Sequence, residues 1–175
     1  SSMWDRTELT ALAYLVKYRF TLYSNFTFFA DDPLHGDQIE QGDDRLFGGV
    51  QLRLQRHAHY RGIQFTTSGG VQVRVDGIEN ALFHDQARER LEDKVRAKVT
   101  ESSIGVYVEE DIRLNKWIRL LLGGRADRFD VNVEDQIEDR GALGTKTSGV
   151  AGQTLFSPKA QAIVSPIPQL DTFLA

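Results

Sequence analysis

Apolar and polar residues alternate from Leu12 to Phe28 with scarcely a break. Leu12, Tyr14, Val16, Tyr18, Phe20, Leu22, Phe26 and Phe28 hold the even positions, while Lys17, Arg19, Thr21, Tyr23, Asn25 and Thr27 hold most odd ones. A period of two is that of an extended strand with one oily and one wet face. The run far exceeds the roughly five or six residues of an ordinary soluble strand. An apolar face of that length would aggregate in water. A membrane-spanning strand needs about ten residues and often projects beyond the lipid, so a bilayer accommodates it.

The alternation recurs along the chain and predicts an all-β fold of about seven strands with no helix. The first is expected over residues 9–30, followed by a polar loop to Asp44 that contains Asp31, Asp32, Asp37 and Asp43. The second runs over 45–56, with Val50, Leu52 and Leu54 opposing Gln51, Arg53 and Gln55, and ends in a turn near residues 57–62. The third covers 63–78 and sets Val71, Val73 and Val75 against Gln72, Arg74 and Asp76; Gly69 and Gly70 suggest a bulge or a thin spot. The charged stretch 79–96 reads as a loop. The fourth strand spans 98–114 and the fifth 117–133, joined by a short turn at Asn115–Lys116. A loop over 134–153 precedes a sixth strand over 154–165, a turn at Pro166–Ile167–Pro168 and a seventh strand opened by Leu170. Long connections thus alternate with short ones, the asymmetry of outer-membrane barrels.

Composition changes this picture little. The 175 residues carry a net charge of −4 and no cysteine, which excludes disulfides and thiolate metal sites and disfavours nucleic acid as a partner. The mean hydropathy of −0.36 suits a transmembrane barrel, because lipid-facing and lumen-facing residues average out. Residues 1–10 show no secretory leader pattern, and Asp171–Ala175 reads as a strand just beginning, so a section of a longer protein is expected.

Chemistry-bearing residues are few. Arg119, Arg125 and Asp127 share one face of the fifth strand, and Glu109, Asp111 and Arg113 one face of the fourth. Arginine at mid-bilayer costs about 2–4 kcal/mol, so these faces belong to a lumen, where a cross-strand ladder is expected ahead of a ligand path. The aspartates of the first loop fit a solvated acidic loop better than a calcium site. His57 and His59 share a strand face without a third ligand, and His84 with Asp85 falls in the charged loop, so no metal is expected. No nucleophile motif or phosphate cradle is present; the chain is read as a non-enzyme without cofactor. The aromatics of the first strand are read as interfacial girdles at its ends. Ligand contact is expected in the loop 134–153, with no single residue assigned.

Three stretches resemble the barrel of TonB-dependent outer-membrane receptors. They are YVEEDIRLNKWIRLLLGGRADRFDVNV over 107–133, LFSPKAQAIVSP over 155–166 and SNFTFFADDPLHGDQIEQGDDR over 24–45. Ala126 stands where the family's Gly-Arg-aromatic-Asp step carries an aromatic. The resemblance implies a barrel of about 22 strands around a plug. Such a receptor sits in the bacterial outer membrane, in contact with its lipid. It imports a nutrient such as a siderophore, cobalamin, haem or a carbohydrate with energy delivered by the TonB system. No plug or TonB box is recognisable here, so residues 1–175 read as part of the barrel only. A porin-like channel, a barrel enzyme and a soluble β-sandwich or lipocalin-like binding module are the alternatives. The membrane reading requires Leu12, Val16, Val50, Leu52, Val73, Ile104, Val106, Leu120 and Leu122 on one outward face.

Overall fold

The computed structural model describes residues 6–137, 147–167 and 170–174. Seven antiparallel strands form one sheet in sequence order: β1 (Arg6–Ser24), β2 (Gln38–Tyr60), β3 (Ile63–Gln86), β4 (Glu89–Arg113), β5 (Ile118–Asp135), β6 (Gly149–Ile167) and β7 (Leu170–Leu174). β1 and β7 are its edges, and each strand pairs with its sequence neighbours alone. Among the described residues no second layer covers either face, which removes the sandwich alternative.

The strands are longer than the alternation predicts. β2 begins at Gln38, so Asp43 and Asp44 belong to a strand and not to a loop. Phe26, Phe28 and Phe29 leave β1 for the connection 25–37. The expected loop 79–96 is instead the projecting end of a hairpin, closed by a two-residue turn at Ala87–Arg88 with φ of 52° and 71°. Arg61–Gly62 closes the β2–β3 hairpin with φ of 51° and 84°. Positive φ at both turn residues matches the twist of the flanking strands. Asn115 closes the β4–β5 turn by accepting the amides of Trp117 and Ile118. Pro168, assigned to a turn from sequence, lies outside the described residues.

Register fixes the faces, because directly paired residues point to the same side. One face carries Leu46, Gly48, Val50, Leu52 and Leu54 of β2, then Val71, Val73 and Val75 of β3 and Ile104, Val106 and Val108 of β4. It continues through Leu120, Leu122, Gly124 and Ala126 of β5 to Phe156, Pro158, Ala160, Ala162 and Val164 of β6. In an uncovered sheet, unequal exposure of the two faces reports curvature, since side chains converge on the concave side. Val106 is 50 % and Val108 58 % exposed, whereas Asp76 on the opposite face is 4 % exposed. The apolar face is therefore the convex one.

This apolar belt is nine residues tall at both ends, from Leu46 to Leu54 and from Phe156 to Val164. At a rise of about 3.3 Å that is about 26 Å along the strand, against an apolar band of about 25 Å in outer-membrane barrels. The belt also runs obliquely to the paired rows. Its upper border lies at the row of Asn132 in β2 and at the row of Ala126 in β6, a drop of six residues over four strands. With strands about 4.8 Å apart, this corresponds to a tilt of about 45°, the upper end of the range for closed barrels.

The first strand turns its faces the opposite way from the expected outward Leu12 and Val16. Leu12 pairs with Gln51 and Val16 with Phe47, so both lie on the inward face with Tyr14, Tyr18, Phe20 and Leu22. The outward residues of β1 are Leu9, Ala11, Ala13 and Leu15, followed by Lys17 and Arg19. Both faces of β1 are apolar at belt height, so periodicity alone could not choose between them. The other seven residues expected on the outward face are there. The aromatics of β1 consequently do not form an outer girdle; Tyr60, outward by register and 61 % exposed beside the β2–β3 turn, occupies such a position.

Candidate functional site: the inner wall and its mouth

The concave face carries a ladder of ion pairs. Asp111 accepts two bonds from Arg119 at 2.8 and 2.5 Å, joining β4 to β5. Arg74 grips Asp76 with two bonds of 2.7 Å, and Arg45 reaches Asp43 at 2.8 Å. Residues two apart on a strand share a face, and this spacing makes the Arg-x-Asp pairs possible.

Some links skip a strand entirely. Lys159 of β6 reaches Glu109 of β4 at 2.6 Å across Gly123. Arg125 of β5 binds Asp127 and crosses Gly105 of β4 to reach Gln72 of β3 at 2.9 Å. Tyr14 of β1 lies over Gly49 of β2, bringing its hydroxyl beside the Arg74 guanidinium. The Arg74 guanidinium also sits 4.5 Å from the ring centre of Phe47, itself edge-on to Tyr14 at 6.3 Å. A side chain at the bridged position would fill the space of the crossing group, so glycine is required there. The expected ladder thus exists, and glycines extend it over three strands at a time.

At the long-loop end, residues 25–37 form a built knot. The Asp37 carboxylate accepts the backbone amides of Ala30, Asp31 and Asp32 at 2.7–3.2 Å. Asp32 accepts those of Leu34 and His35 at 2.9 and 3.0 Å. His84 donates to the carbonyl of Gly36 at 2.6 Å and ties the knot to the inward side of β3. Between knot and the β3–β4 hairpin lies a cavity of 770 Å³, with Phe26, Leu34 and Ile39 beside His84, Glu92 and Lys94. The acidic loop is therefore a scaffold whose carboxylates bind its own backbone. Among the described residues, no three His, Asp or Glu side chains are placed to hold a metal ion.

His84 and Asp85, assigned to a loop from sequence, belong to β3, and Asp85 is wholly buried with neither carboxylate oxygen hydrogen-bonded. His57 faces inward and bonds Thr66 at 3.1 Å. Of the loop expected over 134–153 to contact ligand, residues 134–135 belong to β5 and 149–153 to β6, and residues 138–146 lie outside the described residues.

The amides of His35 and Leu34 outweigh desolvation and lower the Asp32 carboxyl from 3.8 to about 2. Burial pushes Asp37 upward, but the amides of Asp31 and Asp32, the Thr27 hydroxyl and the Ala30 amide together hold it below its ordinary value. A depressed carboxyl stabilises the fold above its unfolded pKa, and the contribution is lost as pH falls through the folded value. The Leu34 and His35 amides accepted by Asp32 are therefore expected to keep their protection, corrected for intrinsic exchange rates, from neutral pH to about 3, and to lose it near pH 2. Asp37→Ala should abolish protection at Asp31 and Asp32 at every pH, leaving the belt strands unaffected.

A family model for the β-barrel of TonB-dependent receptor-like proteins matches residues 3–175. Among solved structures, the open form of the ferric-catecholate import receptor Fiu of E. coli K12 superposes with a TM-score of 0.64 at 13 % identity, covering 98 % of this chain and 32 % of Fiu. Its closed form gives 0.62 at 13 % identity, covering 95 % and 29 %. The chain thus spans about a third of the length of these structures, and no curated protein sequence matches it. With the family model matching nearly end to end, on a sheet with an oblique apolar belt outside and ion pairs inside, the chain belongs to the TonB-dependent receptor β-barrel family.

Proposed function

We propose that these residues form about one third of an outer-membrane barrel that imports a scarce nutrient by TonB-dependent active transport, without covalent chemistry. The plug and the TonB box are contributed by residues outside this chain, and the TonB system engages the receptor through them. The observation that carries the reading is the division of the sheet into a hydrocarbon-facing belt and an inner wall laced with ion pairs. A lipid-exposed arginine ladder would be prohibitively unstable, while one in a water-filled lumen is free to hold a plug.

The ligand class we propose is a siderophore. Fiu, similar in fold, is a ferric-catecholate import receptor. The cavity at the mouth joins apolar and charged groups within 770 Å³, within the roughly 300–1,000 Å³ of small-molecule sites. Deleting the parent gene is expected to abolish uptake of one radiolabelled ferric siderophore, and loss of TonB should do the same. Unchanged uptake across catecholates, hydroxamates, haem and cobalamin would overturn the assignment.

A further inference from the structure

We propose that a dent on the outward wall, bordering the apolar belt on the long-loop side, binds the phosphate groups of an outer-leaflet lipid. The inference rests on the outer-membrane reading above. The dent has a volume of 360 Å³, and its floor is small because Thr21, Gly42 and Ala81 meet there across β1, β2 and β3. Four cations line it: Arg19 from β1 and Arg90, Arg96 and Lys98 from β4.

Four acidic residues share the lining; Asp43 turns its carboxylate inward to Arg45, and the other three are each already engaged within the cluster. Asp44 pairs with Lys17 and Arg19, Glu40 takes two bonds from Arg90 at 2.9 and 2.7 Å, and Glu79 lies 3.6 Å from Lys98. Arg96 has Asp93 at 3.8 Å on the rim, and the buried Asp85 presents no exposed charge. Engagement from one side leaves the remaining donors of Arg19, Arg96 and Lys98 turned to the outside, with side chains 73 %, 62 % and 56 % exposed. Guanidinium and ammonium groups presenting several N–H donors from neighbouring strands suit the oxygens of a phosphate.

Position selects a lipid over a free anion. On the same face, Leu15 lies four residues below Arg19 and is 75 % exposed; Leu46 lies two residues below Asp44 and Val75 four below Glu79. Four residues of strand are about 13 Å, so one amphiphile can lay its chains on the belt and its headgroup in the dent. Lys17 sits between, where a long cationic side chain keeps its head at the interface.

The test uses the full-length receptor purified from outer membranes and delipidated in detergent, with native mass spectrometry as readout. The probes are a bis-phosphorylated lipid A, the same lipid with both phosphates removed, and inorganic phosphate. The phosphorylated lipid is expected to bind about tenfold or more tightly than its dephosphorylated form, and Arg19→Gln/Arg96→Gln/Lys98→Gln should remove that preference. Inorganic phosphate should not compete at equal concentration. Arg56→Gln, on the same wall at the opposite border of the belt, should keep the preference and so controls for folding. Indifference to the lipid phosphates, equal competition by inorganic phosphate, or a triple variant that binds as the wild type would each overturn the proposal. A receptor absent from the outer-membrane fraction would overturn the outer-membrane reading itself.

Discussion

Gly49→Val is expected to be among the most damaging single substitutions in the sheet. A Cβ at position 49 would stand 2.7 Å from the carbonyl oxygen of Val73 and 2.7 Å from the Tyr14 hydroxyl. The first of these neighbours is backbone of the adjacent strand, which cannot move without breaking the β2–β3 ladder at its centre. Overpacking of this kind costs about 1–3 kcal/mol before any loss of pairing is counted. Displacing Tyr14 also strips Arg74 and Phe47 of their neighbour on the inner wall. The full-length receptor should show a lowered urea midpoint and lose the compact, unheated gel band of a folded barrel. Tyr14→Ala in the same chain should rescue only part of the loss, since the Val73 carbonyl remains. Gly69→Ala is the contrast: its nearest neighbour would be a backbone oxygen at 3.5 Å, an ordinary contact, so the unfolding free energy should hold within about 1 kcal/mol.

How far the fold could be read from the chain depended on water. Wherever one face met the belt and the other the lumen, alternation located the strand, as in 45–56 or 117–133. Where the strands project beyond the belt both faces are wet and the period vanishes, so residues 79–96 looked like a loop. Their turn added to the concealment. Ala87 and Arg88 occupy the positive-φ positions that Asn-Gly or Asp-Gly normally signals, whereas Arg61–Gly62 at the opposite end offered a glycine at the right place. Ion pairs such as Arg74–Asp76 and Arg125–Asp127 were accessible through their spacing of two. The reach of Arg125 to Gln72, and the glycines it crosses, needed the register of three strands, and register follows from turns rather than from composition.

Sidedness of β1 gives the sharpest measurement of the whole assignment, because neighbouring residues should respond oppositely. Ala13 pairs with Val50, the midpoint of the nine-residue belt on β2, and points to hydrocarbon; Leu12 pairs with Gln51 and points to the lumen. Ala13→Arg is expected to destabilise the full-length receptor by about 2–4 kcal/mol in lipid, the cost of a guanidinium near the bilayer midplane. Leu12→Arg should cost about 1 kcal/mol or less, since the new charge joins a polar wall that holds Gln51 and Arg53. Reversible urea unfolding in vesicles reads both. With Leu12 outward the reverse order would hold, because Leu12 would then take the hydrocarbon side and Ala13 the lumen. A larger loss at Leu12 than at Ala13 would therefore turn β1 over, and with it the register that places Tyr14 against Arg74. A large loss at Ala13 in detergent or lipid, together with tolerance at Leu12, would fix the lumen on the side of the ion pairs. The inner aromatics Tyr14, Tyr18 and Phe20 then become groups in reach of a plug or a passing ligand. An apolar strand facing a polar lumen needs such a partner, because six exposed large side chains on one stripe would otherwise face water.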